Sequence, residues 1–152
     1  MPLLRSISAL AKQAGRILKL AGVTGEPRII PTVGPEQEYF LVEKSLYDQR
    51  PDLRFCGRTL LGCAAPKGQE LEDHYFGQIP ERVSSFMRDL NRELWHIGVS
   101  AQTPHKEVAP NQYEIATVYG TANVAADDNQ LVMETIGKVA QHHGLLSLLH
   151  EK

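Results

Sequence analysis

Residues 34–43 read Gly34-Pro35-Glu36-Gln37-Glu38-Tyr39-Phe40-Leu41-Val42-Glu43. Pro35 breaks what precedes, and the aromatic and β-branched run that follows predicts a strand from about Glu36 to Glu43. Residues two apart on a strand share a face, so Glu36 and Glu38 project side by side at the head of a mostly apolar element. Such a pair repels unless a cation sits against it. Two demands follow: neighbouring strands to complete a sheet, and a positive charge to satisfy the carboxylates.

The neighbours are expected further along. Val99–Val108 and Tyr113–Tyr119 read as two strands joined by Ala109-Pro110-Asn111-Gln112, a hairpin signal. Helices flank them. Residues 3–21 carry apolar residues at Leu3, Ile7, Leu10, Ala14, Ile17 and Ala21, steps of four and three that predict a helix packed through that seam. The segment also holds Arg5, Lys12, Arg16 and Lys19 with no acid before Glu26, which fits an organelle transit peptide as well. The regular seam favours a structural helix. Pro80 opens a second helix with a buried stripe of Val83, Phe86, Met87, Leu90, Leu94, Trp95 and Ile97, ended by Gly98. Val124–His142 predicts a third, with Leu131, Met133, Ile136 and Val139 inward. After Gly144, the run LLSLL begins another buried element. Residues 44–80 are irregular, with one extended piece near Arg58–Ala64. The fold class is therefore α+β: an antiparallel sheet with helices packed on one face.

Bulk properties exclude several functions. A formal net charge of -2 over 152 residues, with no basic cluster, gives no electrostatic case for nucleic acid. No apolar run is long enough to span a bilayer. Cys56 and Cys63 are the only cysteines, too few for a disulfide framework, and read as reduced thiols of a cytoplasmic protein.

The carboxylates carry the chemistry. Glu107 and Glu114 lie on the two arms of the hairpin, and partners on one face approach to roughly 5 Å. If the Glu36–Glu43 strand is a neighbour, Glu36 and Glu38 join them. The spacing leaves two readings: glutamates facing solvent, or a site for a hard divalent cation such as Mg²⁺ or Mn²⁺. His105, His142, His143 and His150 form no recognisable zinc spacing and are expected to be solvated.

Taken together, LAKQAGRILKLAG, GPEQEYFL, GRTLLGCAAPKGQELEDHYFG, HKEVAPNQYEIA and DNQLVMETIGKVAQHHGL resemble, in order, glutamine synthetase of the type III class. The resemblance covers essentially the whole chain. It implies ATP-dependent ligation of ammonia to glutamate through a γ-glutamyl phosphate, with Mg²⁺ or Mn²⁺, in a ring-based homo-oligomer, a dodecamer for the full-length protein. It implies that Glu38, Glu107 and Glu114 hold the metal at the glutamate and ammonium end. Glu36 would belong to a second metal on the ATP phosphates, and Tyr75 would lie near the ammonium site. The EVAPNQYE spacing is that of type II and III members, one residue shorter than type I. Departures accompany these matches: nothing corresponds to the NGSGxH segment, the substrate-binding arginines, the flexible glutamate loop or the N-terminal β-grasp-like domain. Residues 1–152 are accordingly expected to form one partial domain, the N-terminal part of the catalytic domain, with a leading helix in 1–25 and the metal-binding sheet and helices in 33–152. Such an internal fragment would be inactive alone. Two alternatives stand beside it: a non-catalytic metal-binding remnant, and a related γ-glutamyl–amine ligase.

Overall fold

A computed structural model describes residues 1–150; residues 151 and 152, the end of the expected 33–152 unit, lie outside the described residues. The strand expected from GPEQEYFLVE forms over Glu36–Glu43 (β2), after a two-residue strand at Thr32–Val33 (β1). The hairpin follows as Ala101–Lys106 (β3) and Gln112–Thr117 (β4), then Gly120–Thr121 (β5) and Leu145–Leu148 (β6). The main sheet is antiparallel with order β3-β4-β2-β6, and β1 pairs separately with β5. The expected α+β architecture is what forms.

The helices are Pro2–Leu20 (α1), Lys44–Asp48 (α2), Asp73–Phe76 (α3), Glu81–His96 (α4) and Ala122–His142 (α5). The face of β2 that carries Tyr39 and Leu41 joins Tyr113, Ile115 and Leu145 against α4 and α5. From α4 come Val83, Phe86, Met87, Leu90 and Leu94; from α5 come Val132, Ile136, Val139 and Ala140. Tyr39 stands edge-on to Phe86 with ring centroids 5.9 Å apart, a favourable aromatic geometry. Its hydroxyl is buried without a hydrogen-bond partner, and burial pushes the phenol pKa far up.

Several expectations shift. Trp95 and Ile97 are 59% and 51% exposed, because they fall past the turn of α4 that still faces the sheet. On α5 Ile136 and Val139 face inward as expected, but Val132 takes the place of exposed Leu131 and Met133 is only half-buried. Helix α1 forms, yet none of its residues is buried: Leu10 and Ile17 of the expected seam are 55% and 67% exposed. Of that seam only Ile7 and Ala14 are half-buried, joined by Ala11 and Leu18 from beside it. No strand forms at 58–64; that stretch is turns and bends, tied down where Asp52 accepts from Arg50 and from the Leu60 N–H.

One irregularity determines where the functional face lies. Gln102 pairs with Ala116, but His105 pairs with Glu114, so β3 contains one residue more than β4 across the same stretch. This is a β-bulge on an edge strand, and Pro104, which cannot donate to a ladder, sits inside it. The extra residue lets Ala101 enter the core while His105 and Glu107, an even number of residues later, face the opposite side. Regular alternation would have put all three on one face.

Candidate metal centre

The face of the sheet turned away from α4 and α5 collects the acidic residues. Glu38 lies directly opposite Glu114 in the β2–β4 register, and Glu36 lies opposite Ala116 on the same face. Glu107 follows β3, where its N–H donates to the Gln112 carbonyl at 2.9 Å and starts the turn. Asn111 completes that turn in the left-handed region (φ 57°), which asparagine tolerates because its short amide can bond locally. The sequence-derived pairing of Glu107 with Glu114 is thus diagonal rather than direct, since the residue opposite Glu114 on β3 is His105.

Convergence is nonetheless close. Among the described residues, His105, Glu107 and Glu114 each offer a ligand atom, all within 4.8 Å of one another. Glu107 and Glu114 are 3% and 6% exposed. Glu107 Oε2 accepts from the Tyr75 hydroxyl at 2.7 Å and from the Val108 N–H at 3.2 Å. Tyr75, brought in on the single turn of α3, therefore reaches Glu107 from far away in the sequence. Glu38 Oε2 accepts from the Gln112 side chain at 2.9 Å.

The electrostatics record an excess of negative charge. Glu114 is pushed above its ordinary carboxylate value chiefly by burial; His105 draws it down, while Glu107 and Glu36 push it further up. Glu36 is the outlier in position. It is exposed, and with Gln37, Glu38, Leu149 and His150 it lines an open depression of about 530 Å³ beside the buried cluster. Both carboxylates of the ExE pair line this depression, Glu38 the less exposed of the two.

The donor set fits a divalent cation. Burial and the neighbouring carboxylates raise the proton affinity of Glu114, and a hard ion reverses the sign of the repulsion between Glu107 and Glu114. Among the described residues, those whose ligand atoms lie close enough to share one ion are His105, Glu107 and Glu114, while Glu38 stands across from Glu114 on the neighbouring strand.

Two participants were not assigned from sequence. His105, expected to be solvated, is half-buried with Nε2 3.1 Å from Glu114 Oε1 and Nδ1 2.8 Å from the Lys106 carbonyl. The signal was its position two residues before Glu107, on the same face of the same strand. Gln112, wholly buried, stands two residues before Glu114 in the same way. His143 is also not solvated: it packs edge-on against Phe86 and bonds Asp89 at 2.9 Å, far from the carboxylates in role. His142 and His150 are exposed.

The family described as glutamine synthetase, catalytic domain, matches residues 10–152, and the chain belongs to that family. A glutamine synthetase of Butyrivibrio fibrisolvens is 53% identical over 99% of this chain. A type-3 glutamine synthetase of Dictyostelium discoideum is 45% identical, and a glutamine synthetase of Bacteroides fragilis (strain YCH46) 47% identical, again over 99% of the chain. The chain spans about a fifth of the length of these relatives (21%, 20% and 21%). The type III resemblance read from the motifs is thus met by a relative of that class. A solved structure described as apo GmaS without ligand superposes with a TM-score of 0.57 over 80% of this chain and 25% of its own. At 21% identity that likeness is one of fold.

Proposed function

We infer that this chain supplies the carboxylate metal centre of a glutamine synthetase: in the whole protein, ammonia is ligated to glutamate at the expense of ATP. The observation that carries this reading is the convergence of Glu107 and Glu114, both buried, with Glu38 directly opposite Glu114 on the neighbouring strand. Glu38, Glu107 and Glu114 hold Mg²⁺ or Mn²⁺. When bound, such an ion supplies Lewis-acid neutralisation of a reacting carboxylate or phosphoryl oxygen. Tyr75 fixes the rotamer of Glu107 through its hydroxyl and lines the approach for ammonium. Glu36, turned to the open depression, serves a second metal on the ATP phosphates. The γ-glutamyl phosphate pathway and the ring-shaped homo-oligomer belong to the whole protein. Groups for substrate carboxylate and phosphate, and the histidine of the second metal, come from outside residues 1–152, so this chain alone is inactive. The exposed free thiols Cys56 and Cys63 fit a reducing, cytoplasmic setting.

Thermal unfolding against Mn²⁺ concentration tests the reading. A ligand that binds only the native state adds about 2.7 kcal/mol at a hundredfold excess over Kd. A saturable rise in melting temperature is expected for the parent and not for a Glu38→Gln/Glu107→Gln chain. Superimposable curves for the two would overturn the assignment.

A further inference from the structure

Gln112 is a side chain for which hydrophobic burial gives no reason. It is 0% exposed, polar, and sits on the carboxylate face of β4 opposite Phe40. Its carboxamide is engaged at both ends. Oε1 accepts from the Ala109 N–H at 3.3 Å, and Nε2 donates to Glu38 Oε2 at 2.9 Å, a diagonal cross-strand reach. Its backbone is engaged as well: the Gln112 N–H donates to the Ala109 carbonyl at 3.1 Å, and the Gln112 carbonyl accepts from the Glu107 N–H. One residue thus ties the turn that carries Glu107 to the side chain of Glu38.

The direction of the amide is fixed by this arrangement. The Ala109 N–H can meet only the oxygen end, which leaves the NH₂ end for Glu38. A lysine or arginine in that place would bond the carboxylate equally well but cancel its charge. A neutral amide orients Glu38 and leaves its full negative charge for a cation.

We propose that Gln112 is the positioning residue of the metal centre, holding the Glu38 carboxylate on the face of the sheet where Glu114 stands directly opposite it. The role rests on the metal reading given above. Partners of this kind, one step behind a ligand, change metal affinity by about 10–100-fold when removed.

The test is a double-mutant cycle on the full chain. Mn²⁺ uptake is followed by the electron paramagnetic resonance signal of the free ion in the parent, Gln112→Asn, Glu38→Gln and the combined variant. Asparagine keeps the amide but is one methylene too short to reach Glu38, and Gln112→Leu serves as a second probe should that chain not fold. Metal-free thermal melts establish that each variant is folded. The expected result is a tenfold or greater weakening for the Gln112 variant in the parent background and no further loss in the Glu38→Gln background. A merely structural glutamine would weaken both backgrounds alike, and that outcome overturns the proposal. Unchanged affinity in a folded Gln112 variant overturns it too. A parent that takes up no Mn²⁺ overturns the metal centre itself and this role with it.

Discussion

Replacing Glu114 with glutamine should make the metal-free chain more stable and the metal-loaded chain less so. The glutamate is 6% exposed, and its carboxylate lies within 4.8 Å of a ligand oxygen of Glu107. At an effective dielectric of about 20, two charges at that separation repel by about 3.5 kcal/mol. His105 at 3.1 Å offsets part of this when its ring is protonated, but the net environment still raises the proton affinity of Glu114. A neutral amide of the same shape removes the repulsion and the cost of burying a charge. We expect a gain of about 1–2 kcal/mol after the lost His105 contact is subtracted. The assay is urea denaturation at pH 7, once with chelator and once with Mn²⁺ at saturation. Metal should reverse the order, because the parent then has a third carboxylate to offer and the variant does not. The pH dependence has a fixed sign. The folded chain holds a proton on Glu114 more readily than the unfolded chain, whose value is near the ordinary 4.5. Ionising it therefore costs stability increasingly as pH rises from 4.5 through the raised folded value, and no cost remains below 4.5. The variant lacks this loss. A Glu114→Gln chain that is less stable than the parent without metal, or whose deficit widens between pH 4.5 and 7, would refute the reasoning.

Tyr39→Phe removes a buried hydroxyl without a partner, so melting temperature should rise, by about 1–2 kcal/mol in stability; a fall would mean that the hydroxyl is satisfied. Ile136, wholly buried between α5 and the sheet, should cost about 2–5 kcal/mol on truncation to alanine. Leu20→Ala, on a side chain 89% exposed at the end of α1, should stay within about 0.5 kcal/mol; denaturation of the two variants side by side checks the burial pattern. Asp52 is held well below the carboxylate range by Arg50 and then by the Leu60 N–H, so its contribution is present above the unfolded value of 3.8 and fades as pH falls below it. Asp52→Asn should therefore be destabilising at pH 7 and indistinguishable from the parent in strong acid, read from denaturation midpoints across pH.

Long periodic elements were legible because burial imposes their period. Proline and glycine mark the ends of α4, and the alternation in Glu36–Glu43 fixes both β2 and the face that holds Glu38. What was illegible depends on partners distant in sequence. The bulge at Gln102–His105 shifts alternation by one residue, which no local pattern of β3 reveals. That shift is why His105, rather than Pro104, lies opposite Glu114. On α5 Ile136 and Val139 face inward as the pattern predicts, but Leu131 and Val132 are equally apolar, and only contact with the core selects Val132. Strands β1 and β5, two residues each, are too short for any period to register. The α1 seam was read from a real amphipathic pattern, but a pattern states that a face is apolar and not that this chain covers it. Of the site, the four glutamates and Tyr75 were named from motifs. The clamp formed by Gln112 requires knowing that its amide reaches diagonally from β4 to β2.

The central claim is that Glu38, Glu107 and Glu114 hold one divalent ion. Anomalous diffraction from crystals of the chain grown with Mn²⁺ tests it most directly. A single strong manganese peak is expected within coordination distance of one oxygen from each of the three. A peak bound by other residues, or none at saturating Mn²⁺, would contradict it.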